Sequence, residues 1–399
     1  MFKRMLAASA AMAVLPLGLV VTPANAGEHM VLVDRIDVNS AKGIAAFDIS
    51  FVDPKLGLYV LADRTNASVD FFNARDDTFI GRVGGFQGVV LVNGAAANGL
   101  SGPDGVTIVG GKEVWAGDGD STVKVINIAT FEVTDTISTG GKMRCDEMAW
   151  DATDHLLAVA NNADTPPFVT VINTDTHQVI SKIVFDGTKG TPDATDTGIE
   201  QPQWSPTTGL FYVSVPQIDP KDPTAGGVTV IDPTSQSVVA TYPVANCSPA
   251  GLTLGPDGQA LIGCSASFGK APNVLTQSVI INIKTGTVLA NIPQVGGSDE
   301  VWYDAATHHY YLAARNYQTA AGTTTPVMGT IDALTLQFDG NVPTSTSAHS
   351  VAADRHSRHV FVPIGSVAAG ASDPTNPCPT TGCIAVYLPS SVDADDQRQ

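Results

Sequence analysis

The sequence predicts an all-β chain closed into a seven-bladed propeller, and three observations predict it. Short runs rich in Val, Ile, Tyr and Phe recur between clusters of Gly, Pro, Asn and Asp, while few segments hold the 3.6-residue apolar period of a helix. Two phrases, RCDEMAWDATDHLLAVANN at 144–162 and GSDEVWYDAATHHYYLAARN at 297–316, repeat Asp-Glu, an aromatic residue, Asp, a turn and an apolar strand. Aligning them brings five further copies into view at nearly constant spacing, the signature of blades arranged around an axis.

The first strand of each unit reads FDISFVD (47–53), PDGVTIV (103–109), CDEMAWD (145–151), IEQPQWS (199–205), AGLTLG (250–255), SDEVWYD (298–304) and AHSVAAD (348–354). Their anchor residues are Asp48, Asp104, Asp146, Glu200, Ala250, Asp299 and His349, separated by 56, 42, 54, 50, 49 and 50 residues. Second strands follow a tight turn: LYVLA (58–62), EVWAG (113–117), LLAVA (156–160), LFYVSV (210–215), ALIGC (260–264), YYLAA (310–314) and HVFVP (359–363). Third strands such as TVKVIN, FVTVIN and GVTVID, and fourth strands such as TFIGRV and ISKIVF, complete four-stranded antiparallel blades. The last unit lacks a fourth strand after CIAVYLP, and an orphan strand, MVLVDRIDV (30–38), precedes the first anchor. Pairing these two closes the ring and leaves no sheet edge open.

Units such as LYVLADRTNASVDFFNARDDTFIGRV (58–83) and LLAVANNADTPPFVTVINTDTHQVISKI (156–183) resemble the YVTN-type β-propeller repeat, with its apolar strand, polar Asn-containing loop and V-x-V-I-D/N strand. The resemblance runs over nearly the whole chain after residue 26. It implies a fold and leaves function open, because similar propellers include lactonases, cofactor-bearing dehydrogenases and plain binding scaffolds.

Residues 1–26 have a basic start (Lys3, Arg4), an apolar centre and small residues at Ala24 and Ala26, the pattern of a secretory signal peptide. The expected organisation is a signal peptide over 1–26, one propeller domain over 27–390 and a disordered acidic and polar tail over 391–399. A periplasmic or secreted monomer follows, not inserted in the membrane once cleaved. Cleavage removes two cations and no acid, taking the net charge from −18 to −20. Such a surface disfavours nucleic acid as a partner and suits a cation or small molecule. Cys247 and Cys264 flank the hairpin SPAGLTLGPDGQALIG, and Cys378 and Cys383 bound the short loop CPTTGC, so two disulfides are expected, with Cys145 left over.

In a propeller the first strand lines the central channel, so the anchors converge at one mouth. Asp48, Asp104, Asp146, Glu200, Asp299 and His349 are therefore the candidate metal ligands. Crowded carboxylates must take up protons or share a cation. Ca²⁺ is the first choice for oxygen donors, and Zn²⁺, Mn²⁺ or Fe²⁺ becomes possible if His349 ligates. The alternative is that these side chains cap backbone N–H groups in turns. The loops after the second strands share this mouth and bring Arg64 and Arg315, which either neutralise the acids or face a substrate carboxylate.

Two functions fit. One is a metal-assisted hydrolase of a small ester or lactone, with His349, or a carboxylate such as Glu300 or Glu147, moving a proton and Arg315 steadying the oxyanion. The other is a non-catalytic binding or scaffold propeller with a structural ion or none. A quinone-dependent oxidoreductase ranks below both, since no dedicated cofactor ligands are visible. Trp115, Trp150, Trp204 and Trp302 are read as packing between blades rather than as a ligand site.

Overall fold

The computed structural model describes residues 29–265, 276–319, 321–368 and 371–390. The expected signal peptide and C-terminal tail lie outside the described residues.

The described residues form seven four-stranded antiparallel sheets, six with consecutive strands in simple up-and-down order and the seventh with its outer strand drawn from the N-terminal side of the chain. In blade 3, for instance, Met148–Asp151, Leu156–Asn161, Phe168–Asn173 and Gln178–Val184 follow one another outward from the axis. The middle strands carry the core. Leu58–Asp63 and Leu156–Asn161 are buried at every position, while the outermost Glu132–Ser138 has a single buried residue. Apolar side chains from neighbouring blades interlock, as where Val169, Val171 and Ile183 of blade 3 meet Phe211 and Val213 of blade 4. The ring closes as expected: Met30–Ile36 pairs antiparallel with Cys383–Pro389, from Met30 opposite Pro389 to Ile36 opposite Ile384.

The repeated wording has a local physical cause. The Asn or Asp ending each V-x-V-I-D/N strand accepts the backbone N–H two residues on, as in Asn73 to Arg75, Asn127 to Ala129, Asp232 to Thr234 and Asp332 to Leu334. These side-chain turns start the hairpin into the outer strand, where Asp77, Phe131, His177, Gln236 and Leu336 take positive φ of 52–59°. A register shift follows in each such ladder, for example between Val171 and Ile172, and adds twist to the outer edge. The second Asp of the opening phrases does similar work at the other end. Asp53, Asp151, Asp304 and Asp354 cap the turn between first and second strands.

Both expected cysteine pairs are bridged, Cys247–Cys264 with Cα atoms 4.8 Å apart and Cys378–Cys383 with 5.5 Å, and Cys145 is a buried thiol. One element had no counterpart in the repeat. A small hairpin, Leu91–Val92 with Ala95–Ala96, fills the connection between blades 1 and 2, where the anchor spacing is widest.

Candidate functional site

Equivalent backbone bonds hold the anchors at equivalent places. Asp48, Asp104, Asp146 and Glu200 each donate their N–H to a carbonyl at the end of the second strand, Ala62, Gly117, Ala160 and Ser214, at 2.7–3.0 Å. The side chains therefore converge on the axis. Asp48, Asp146 and Glu200, together with Asp299, His349, Arg64, Arg144 and Arg315, border a cavity of about 350 Å³ at one mouth of the channel, and Asp104 sits behind Arg64. Gly105, next to Asp104, permits this approach: a Cβ there would lie 2.1 Å from the Asp146 carbonyl oxygen.

Arginines divide the ring. Arg64, nearly buried, pairs through Nη2 with both Asp48 and Asp104, donates from Nε to Asp104 at 2.8 Å and from Nη1 to Asn98 at 2.7 Å. Arg144 spans Asp48 at 2.9 Å and Asp146 at 2.6 Å. Burial raises the Asp48 carboxyl pKa, but the two guanidiniums and His349 outweigh it and hold the group well below the usual range. On the rim Arg315 donates to Asp299 at 2.7 Å. His349 stacks on Phe47 with centroids 4.6 Å apart, donates from Nδ1 to the Ser347 carbonyl at 2.6 Å, and lies with Nε2 3.3 Å from Asp48.

The other side of the ring differs. Asp146, Glu147 and Glu200, all buried, bring one ligand oxygen each within 4.8 Å of one another. Asp146 Oδ1 and Glu147 Oε2 have no hydrogen-bond partner among the described residues. Burial pushes Asp146 up to about 7 against the pull of Arg144. Burial, reinforced by Asp146 and Glu200, raises Glu147 well above the carboxylate range, and burial with Asp146 and Asp299 does the same to Glu200. The three need protons or a cation. An all-oxygen donor set with unpartnered oxygens fits a hard divalent ion, with Ca²⁺ completing its shell from water.

The sequence-derived candidates thus separate. Asp48, Asp146, Glu200, Asp299 and His349 share the mouth, whereas Asp104 is held behind Arg64 and does not line the cavity; Asp48 also meets arginines, and His349 has protein partners at both ring nitrogens. Glu300 lies outside that cavity: its Oε2 accepts from Ser350 Oγ and from the Val351 N–H at 3.2 Å, and it lines a second cavity deeper in the channel. Arg144 escaped the sequence reading because it stands two residues before an anchor in one blade only. Of the loop residues, Asp118 is drawn to Lys124 and Asp164 caps Lys142, away from the cavity. Trp204 and Trp302 do pack against the cores between blades, and they also line that second cavity, which the packing reading had not foreseen.

No family model and no curated protein matches this sequence. Solved structures do resemble the fold. A chain of hydrazine synthase from Kuenenia stuttgartiensis superposes with a TM-score of 0.61 at 15% identity, covering 80% of this chain and 92% of that one. A chain of the mitotic checkpoint complex gives 0.60 at 12% identity, covering 95% and 99%. The chain is a seven-bladed β-propeller. At these identities the likeness is one of fold.

Proposed function

We propose that this is an exported propeller that holds a divalent cation, Ca²⁺ by preference, on Asp146, Glu147 and Glu200, and hydrolyses a small ester or lactone at that mouth. The observation carrying the reading is the pair of buried, unpartnered carboxylate oxygens on Asp146 and Glu147 beside Glu200. A cation bound there would supply Lewis acidity toward a substrate carbonyl. The remaining roles belong to the chain. Arg315, on the rim of the same cavity, faces developing negative charge on a carbonyl oxygen. His349, oriented by Ser347 and Phe47, is the group that takes up and returns a proton. Arg64 and Arg144 keep Asp48 ionised and the anchor ring rigid.

Export rests on the N-terminal pattern and on two disulfides, which persist in oxidising compartments. Among the described residues no helix is long and apolar enough to cross a membrane. Membership of the YVTN-type repeats is part of the same proposal and rests on the V-x-V-I-D/N strands.

A non-catalytic reading has its own observation. Arg64 and Arg144 already tie Asp48, Asp104 and Asp146 into one buried charge network, as a structural clasp would. The two separate on a panel of small aliphatic esters and lactones assayed with Ca²⁺ and with chelator. Turnover that requires the metal and falls by at least about a hundredfold in Glu200→Gln supports the hydrolase. Metal binding without turnover on any member leaves the binding propeller.

A further inference from the structure

Below the mouth the channel opens into a second cavity of about 410 Å³, which shares Ile49 and Glu147 with the first. Its walls come mainly from positions one to four residues after the anchors. Phe51, Trp204, Trp302 and Tyr303 give them an aromatic side among aliphatic residues such as Val106 and Met148, with Phe51 set edge-on to Trp302 at 5.4 Å. At the anchor end the lining is acidic: Glu300 is 2% exposed and Glu147 5%, and Glu147 Oε2 is unpartnered. Among the described residues, no Lys, Arg or His lines this cavity.

We propose that this cavity binds a small organic cation, a primary ammonium carrying an aromatic or branched aliphatic body. Aromatic faces attract cations through the ring quadrupole, and the attraction strengthens where water is excluded. A carboxyl end and an aromatic side also impose a direction: the ammonium points toward Glu300 and Glu147, and the apolar body lies against Trp302, Trp204 and Phe51. An anionic ligand would meet two acids and no cation. A neutral apolar ligand would leave the acidic end without a partner. The site needs no metal at the mouth, but it shares Glu147 with the cation site proposed there, so it is tested with the metal removed and its failure is distinguishable from that of the hydrolase reading.

The test uses the folded, chelator-treated protein with both disulfides intact. Benzylammonium and its neutral analogue benzyl alcohol are titrated in parallel, followed by calorimetry and by the fluorescence of Trp204 and Trp302. Benzylammonium is expected to bind at least about tenfold more tightly than the alcohol. Glu300→Gln keeps an acceptor for Ser350 and the same shape, and should erase that preference while leaving the alcohol unchanged. Trp302→Leu should weaken both ligands by about threefold to tenfold. Equal affinity of wild type for the two ligands, an intact preference in Glu300→Gln, or no binding of either at millimolar concentration overturns the proposal.

Discussion

Arg144 offers the sharpest test of how the mouth is held together. Its guanidinium, 12% exposed, reaches Asp48 and Asp146 at once. Replacing it by Met keeps the aliphatic stem and removes the charge. Breaking a buried ion pair by deleting one partner costs about 3–5 kcal/mol, because the other charge is left without compensation. The pH dependence adds a sign. In the wild type the Asp146 carboxyl is raised to about 7, above its unfolded value, so the stability it lends is present at low pH and is lost as pH rises through 7. Without Arg144 its pKa rises further, so the variant goes on losing stability where the wild type has levelled off. Each pH unit of that window is worth about 1.4 kcal/mol. Urea unfolding in the presence of chelator, followed by tryptophan fluorescence at pH 7 and 8.5, should therefore show a gap that widens by roughly 2 kcal/mol at the higher pH. A gap below about 1 kcal/mol at pH 8.5, or one that does not widen, would refute both the clasp and the environment assigned to Asp146.

Other consequences follow from the same geometry. Cation affinity should rise with pH across the whole range from 5.5 to 8.5, because the metal competes with protons for Asp146, which titrates near 7, and for Glu147 and Glu200, which burial raises as well; Ca²⁺ calorimetry at pH 5.5, 7 and 8.5 checks it. Gly105→Ala drives a methyl against the Asp146 carbonyl and should cost about 2 kcal/mol or more, read by urea unfolding. Removing Cys247–Cys264, which closes a separation of 17 residues, should cost about 3 kcal/mol, measured by unfolding of the double serine variant. Phe211→Ala, at a fully buried position between blades 3 and 4, should cost about 3–5 kcal/mol by the same method.

The ring of blades was legible because each blade solves the same local problem with the same residues. Asn127, Asn173 and Asp232 start equivalent turns, and the second strands are apolar on both faces because both are packed. The anchors were legible for the same reason, since register places Asp48, Asp104, Asp146 and Glu200 alike. What the repeat does not encode was missed. Arg144 occurs in one blade, and only the folded ring shows that it reaches Asp48, 96 residues away in sequence. The depth of Glu300 was equally hidden: neighbouring positions just before the strand Val301–Asp304 face different cavities, Asp299 the mouth and Glu300 the channel beneath. The aromatic lining escaped because Trp204 and Trp302 pack between blades and face the channel at once.

The most direct measurement is metal content by mass spectrometry of the mature protein after dialysis against micromolar CaCl₂, with Asp146→Asn and Glu200→Gln in parallel. The account predicts about one equivalent of Ca²⁺ in the wild type and loss from both variants. A wild type free of metal, or variants that retain it in full, would contradict a cation site on Asp146, Glu147 and Glu200.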